Sequence, residues 1–149
     1  MRVFTTPDEL ERAVGTELGT GDWWEITQER VDRFADATDD HQWIHVDPER
    51  AKAGPFGAPI AHGYLTAALL PAMMRGIYRV EARMAVNYGL NRLRFPAPVR
   101  VGASIRAVVR LIEVTKVGDA LQVVSSVTVE LKGEPKPAVV AETVGRFYL

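Results

Sequence analysis

Between Ala61 and Arg75 the chain is small or apolar nearly all round, running through Gly63, Leu65, Ala67, Ala68, Leu69, Leu70, Ala72, Met73 and Met74. A surface helix carries one apolar stripe, so a helix apolar on every side has to be covered on every side. The segments that follow supply the cover. Ile105, Ala107, Val109 and Leu111 alternate with Ser104, Arg106, Val108 and Arg110. After Gly118-Asp119, Leu121, Val123, Ser125, Val127, Val129 and Leu131 repeat the alternation, which predicts a long antiparallel hairpin. A further run from Ala138 to Leu149 extends the sheet, with Pro135 and Pro137 in the turn before it. Long strands around one buried helix require a strongly curved sheet, so the predicted class is α+β, an antiparallel sheet wrapped around a long central helix. Pro71 is expected to kink or shorten that helix, because proline removes an internal hydrogen bond.

The first half of the sequence reads as short helices. Thr6-Pro7-Asp8-Glu9 has a capping threonine, a proline at the first helical position and a glutamate that can reach back, with Gly15 as the stop. Thr27 opens a second helix with Val31, Phe34, Ala35 and Thr38 at helical spacing, which places Asp39-Asp40 on the loop leaving it. Asp47-Pro48-Glu49 starts a third, broken by Gly54-Pro55-Phe56-Gly57. With 149 residues and 47% hydrophobic content, one core and a single domain over residues 1–149 are expected. A wrapped sheet leaves an edge open, so pairing with a second copy, a homodimer, is expected too.

Composition removes several function classes. Lys and Arg number 18 against 19 acidic residues, too even for a nucleic-acid groove or a membrane-binding patch. The absence of cysteine rules out disulfides, a thiolate nucleophile and cysteine-ligated metal centres. The N-terminus turns polar early and no apolar run reaches membrane-spanning length, so a soluble, cytoplasmic protein is expected.

All three histidines fall close together, in Phe34-Ala-Asp-Ala-Thr-Asp-Asp-His-Gln-Trp-Ile-His-Val-Asp and then Ala61-His62-Gly63. A carboxylate at Asp40 and an imidazole at His45 can together hold and polarise one water. On spacing alone, a capping aspartate and a solvated histidine are the commoner reading. Asp39 reads as a loop or capping residue. His41, His45 and Asp47 form a conceivable metal set, but Asp47 is better explained as the cap before Pro48, and no metal is expected. His62 reads as a packing or hydrogen-bonding residue at the helix entrance.

The stretch from Phe34 to Pro48, with Pro59-Ile-Ala-His-Gly63 entering the apolar helix, resembles the MaoC-like (R)-specific enoyl-CoA hydratases of the hot-dog fold. The run Asn87-Tyr-Gly-Leu-Asn-Arg-Leu-Arg-Phe-Pro-Ala-Pro-Val99 is similar to the strand-and-turn segment of short single-hot-dog members. The resemblance implies Asp40 and His45 as base and acid on a water that adds to a trans-2-enoyl thioester, with the Gly63 amide at the helix start stabilising the thioester oxyanion. It implies substrate contacts from Gln42, His62, Tyr64 and Asn87, with coenzyme A or a carrier protein as part of the substrate and no other cofactor. Gln42-Trp43 stands where many members have Asn-Pro. Tyr64 and Thr66 carry hydroxyls near the thioester position, Arg92 and Arg94 read as a solvated strand face, and Met73, Met74 and Met84 as core or tunnel packing. The rival readings are a hot-dog thioesterase and a non-catalytic acyl-binding partner subunit.

Overall fold

The computed structural model describes all of residues 1–149. Its largest feature is a six-stranded antiparallel sheet built from β2 (Glu17–Thr20), β3 (Trp24–Glu25), β5 (Met84–Arg94), β6 (Ser104–Val117), β7 (Ala120–Leu131) and β8 (Val139–Tyr148). The strand order is β2-β6-β7-β8-β5, with β3 also pairing β6. The expected hairpin is β6–β7. Its register runs from Ile105 opposite Leu131 to Val117 opposite Ala120, closed by Gly118-Asp119 with Gly118 at φ 61°. Only a residue without Cβ takes that left-handed conformation at little cost, which is why glycine opens the turn.

Alternation does what the sequence implies. Ile105, Ala107, Val109 and Leu111 of β6 and Val127 and Val129 of β7 are buried on one face, forming a continuous core with Leu10, Val31, Leu65, Leu70 and Met73 from the helices and with Ile26 from the link between β3 and the helix that follows it. At about 25 cal/mol per Å² of apolar surface, each of the Val, Leu, Ile and Met side chains among them contributes on the order of 1.5–3 kcal/mol by leaving water. In front of the sheet lie α1 (Pro7–Ala13), α2 (Gln28–Thr38), α3 (Trp43–Val46), α4 (Pro48–Lys52), α5 (Gly63–Ala68) and α6 (Leu70–Arg75). The Thr6 cap and the Glu9 return bond form a complete capping box on α1. Thr27 caps α2 and Asp47 caps α4, each accepting from the amide three residues on.

The central helix departs from expectation in two ways. It is two short helices, α5 and α6, joined at Leu69, because Pro71 has no N–H to return to Ala67. Nor is it covered on all sides. Leu65, Thr66, Leu70 and Met73 are buried, whereas Tyr64 is 72% exposed and Ala68 is also exposed. One copy of the sheet wraps one flank. The other flank, with Ala67, Ala68, Pro71 and Met74, faces the sheet across an apolar cavity of about 720 Å³, whose far wall includes Val123, Val144 and Phe147.

Three pairings were invisible to pattern reading. β1 (Arg2–Phe4) lies parallel to β4 (Tyr78–Val80), and β2 and β3 pair β6 across the edge opposite β5. β5 itself bonds only β8, and its other edge is open. Met84, Val86, Tyr88 and Leu90 are exposed along it. Met84 is therefore a surface residue of the edge strand and not core packing; the core positions are held by Met73, with Met74 packed against it.

Candidate active site

α2 delivers the chain to the site. Val31 and Ala35 anchor its inner face, and the helix ends at Asp39, whose φ of 57° places it in the left-handed region that aspartate tolerates better than most residues. That reversal puts Asp40 on a loop, as expected, three residues ahead of the single turn of α3. α3 carries His45, and it is tied back to α2 by Gln28, whose side-chain amide donates to the His45 carbonyl and to Asp32 Oδ1, both at 2.8 Å.

His45 is buried, and its Nδ1 lies 2.6 Å from the carbonyl oxygen of Ile60. A carbonyl can only accept, so Nδ1 carries the proton and Nε2 keeps its lone pair in the neutral ring. Burial pushes the imidazole below its ordinary pKa and the stacked His62 adds to the effect, against the opposing pull of the Ile60 carbonyl and the Asp40 carboxylate. The ring is thus poised as a base at neutral pH. Asp40 is exposed, and the Gln42 amide N–H reaches its Oδ1 at 3.4 Å.

His62 closes the cluster from the other strand of chain. Its ring stacks on His45 with centroids 3.8 Å apart and planes 23° from parallel, and Phe34 lies 4.9 Å away. His62 Nε2 donates to the backbone carbonyl of Asp40 at 2.9 Å. One donor atom from each of Asp40, His45 and His62 lies within 4.8 Å of the others. A shared metal does not fit this set. An ion must lie near the plane of each ring at about 2.1 Å from nitrogen, and two planes this close to parallel do not meet at that distance.

Gly63 follows immediately as the first residue of α5, so its N–H has no intrahelical acceptor. A Cβ there would sit 2.9 Å from the ring of Phe95, so the backbone at Gly63 is approached as only glycine allows. α5 has six residues, which leaves the single amide, not a long helix dipole, as the contribution of this helix start.

The sequence model of the MaoC like domain matches residues 9–133. The chain belongs to the MaoC-like family. It is 53% identical over 149 residues to the 3-hydroxyacyl-thioester dehydratase Z of Mycobacterium tuberculosis, with 99% of each chain covered. It is 45% identical over 140 residues to the nodulation protein N of Rhizobium leguminosarum, covering 91% of this chain and 87% of that one. An (R)-hydratase from A. caviae involved in PHA biosynthesis superimposes with a TM-score of 0.72 at 25% identity, over 89% of this chain and 94% of that one. The hot-dog architecture of this MaoC-like chain is therefore the one its sequence resembles.

The fold of this MaoC-like chain brings Asp40, His45, His62 and Gly63 together, but not every residue expected beside them. The Gln42 side chain is exposed and makes no capping bond; its contribution to Asp40 is through the backbone. Asn87 sits on β5 opposite Gly145 and lines the cavity beyond α5. Tyr64 packs edge-on against Phe95, centroids 6.1 Å apart. Thr66 is buried and donates its hydroxyl proton to the Gly63 carbonyl at 2.6 Å, so it does not reach toward a substrate. Trp43 holds α3 to α4, beneath the Arg50 guanidinium and against Gly54. Gln28, Ile60 and Phe95 were not singled out from sequence. A carbonyl acceptor leaves no mark on residue type, and a glutamine at a helix start has many ordinary explanations.

Proposed function

We propose that this hydro-lyase is an (R)-specific enoyl-thioester hydratase and, in reverse, a 3-hydroxyacyl-thioester dehydratase, with Asp40 and His45 as its catalytic residues. The observation that carries the reading is the pairing of an exposed carboxylate at Asp40 with a buried imidazole at His45 whose Nε2 is left unprotonated by the Ile60 bond. In hydration, the water oxygen bonds to Cβ of the trans-2-enoyl thioester while one water proton passes to the Asp40–His45 pair. The pair returns one proton to Cα, so the protein ends as it began. Charge that builds on the thioester oxygen is met by the Gly63 amide. The chemistry calls for no redox group or metal; coenzyme A or a carrier-protein pantetheine enters only as the thiol part of the substrate.

The acyl tail lies in the apolar cavity that opens at Ala67, one turn along α5 from Gly63, and continues past Pro71 and Met74. A second copy of the chain covers the open edge of β5, because Met84, Val86, Tyr88 and Leu90 on an eleven-residue strand with one edge unpaired favour strand-edge pairing over exposure to water.

The test is the loss of enoyl absorbance on mixing the purified protein with short and medium trans-2-enoyl-CoA, with product stereochemistry determined. An (R)-3-hydroxyacyl-CoA product with no free thiol supports the proposal; release of free thiol with a trans-2-enoic acid and no 3-hydroxy product would mean a thioesterase instead.

A further inference from the structure

His62 is 3% exposed and touches both members of the pair by different means. Its Nε2 donates to the Asp40 backbone carbonyl, and its ring face covers the His45 imidazole. The Nε2 bond fixes which nitrogen bears the proton, and Nδ1 is left buried with no partner. An unpaired buried nitrogen carries a desolvation cost that packing alone does not call for, since Phe or Leu would fill the same space without it. The Asp40 loop has little else to hold it. Asp40 follows the left-handed Asp39, its carboxylate is exposed, and the bond from His62 joins residues 22 apart in sequence.

We infer that His62 is a positioning residue, which sets the Asp40 loop through its Nε2–H and holds the His45 ring in place by stacking, so that both groups face one water. The inference rests on the hydratase reading above for its kinetic consequences and on geometry alone for its structural ones. The charges bearing on His45 are those of Asp40 and His62. α2 presents the Gln28 amide, with the Asp32 carboxylate behind it, and the Phe34 ring to this pair, and Arg50 of α4 is turned over Trp43.

Two variants separate the two contacts. His62→Gln places an amide near the Nε2 position and keeps a donor for Asp40 while removing the ring. His62→Phe keeps a flat ring against His45 and removes the donor. With trans-2-enoyl-CoA each is expected to lose about 10- to 100-fold in kcat while KM stays within about threefold, the signature of misplaced reacting groups and not of lost binding. Nitrogen-15 spectra of the imidazoles give a readout independent of turnover. In the wild type His62 is expected as the Nε2–H tautomer and His45 as the Nδ1–H tautomer. In His62→Gln, His45 is expected to titrate at higher pH, with the acid limb of kcat/KM moving by the same amount. Variants that fold less stably but keep wild-type kcat and an unmoved His45 titration would reduce His62 to packing and overturn the inference. So would a wild-type His62 protonated at Nδ1 alone, a result that needs no variant to fold. Expected spectra in a protein that hydrates no enoyl thioester would sink the hydratase reading and leave the positional one standing.

Discussion

The side-chain amide of Gln28 donates to the main-chain carbonyl of His45, 17 residues away, and thereby joins the first turn of α2 to the single turn of α3. α3 has four residues, too short to be stable as an isolated helix, so its orientation depends on such ties. Gln28→Ala removes the donor and leaves the carbonyl of a buried residue unpaired. The expected cost is about 0.5–1.5 kcal/mol of stability, measured by denaturant titration. A larger proportional loss of kcat than of KM is expected as His45 drifts. Unchanged kcat in the folded protein would show that the Ile60 bond and the His62 stack suffice.

Asp40→Asn changes little in size and keeps the backbone carbonyl that His62 binds. The fold is expected to persist, with an unchanged thermal midpoint within about a degree or two for a surface change. Turnover is expected to fall about 10²- to 10⁴-fold, the usual share of a general acid–base group. Steady-state hydration kinetics beside a circular dichroism melt check both halves.

The pH dependence follows from His45. Its ordinary value of 6.5 is lowered by burial first, so the folded protein keeps the ring neutral at a pH where the unfolded chain has begun to protonate it. Only the neutral ring has the free Nε2, so kcat/KM is expected to hold as pH falls to 6.5 and to decline below it. Stability follows the same sign. The unfolded chain takes up the proton first, so the contribution is intact above about 6.5 and is lost as pH falls through the lowered folded value. His41 has the opposite sign, raised by its hydrogen bond to Asp36, but it is exposed and screened. A kcat/KM profile is expected to be unmoved by His41→Ala, and an acid limb that moves with His41 would assign the titration to the wrong ring.

Much of this was legible in the residues, and the parts that were not share a cause. The capping box at Thr6, the Gly118-Asp119 turn and the alternation of β6 and β7 are local signals that local geometry obeys. So is the placement of Asp40 just past a helix end. What escaped depends on contacts between distant segments. β1 and β4 are some 76 residues apart in register, as Arg2 opposite Tyr78 shows, and neither is long enough to declare itself. The apolar composition of residues 61–75 correctly marked the helix that packs on the sheet. It could not say that one flank borders a cavity and leaves Tyr64 exposed, because composition does not distinguish a core from a lined cavity. The stack of His62 on His45 brings residues 17 positions apart face to face, and only the fold shows that the histidine read as packing touches both halves of the pair.

The last prediction concerns Gly63, where two requirements meet in one residue. Its amide is the donor proposed for the thioester oxygen, and its missing side chain makes room for Phe95, whose ring atoms lie 2.9 Å from where a Cβ would be. Gly63 does not have a positive φ, so alanine is compatible with the backbone and even favoured within a helix. The penalty of Gly63→Ala is therefore steric and lies with the phenyl ring, which is 41% exposed and free to swing outward. The protein is expected to fold with little change in stability, while kcat drops because the displaced ring and the new methyl group crowd the thioester. Trimming the ring removes the clash but not the methyl group. Gly63→Ala with Phe95→Leu is thus expected to recover part, not all, of the lost kcat, a coupling that a double-mutant cycle measures directly. Additive losses would mean that Phe95 does not transmit the effect and that the methyl group alone obstructs the amide.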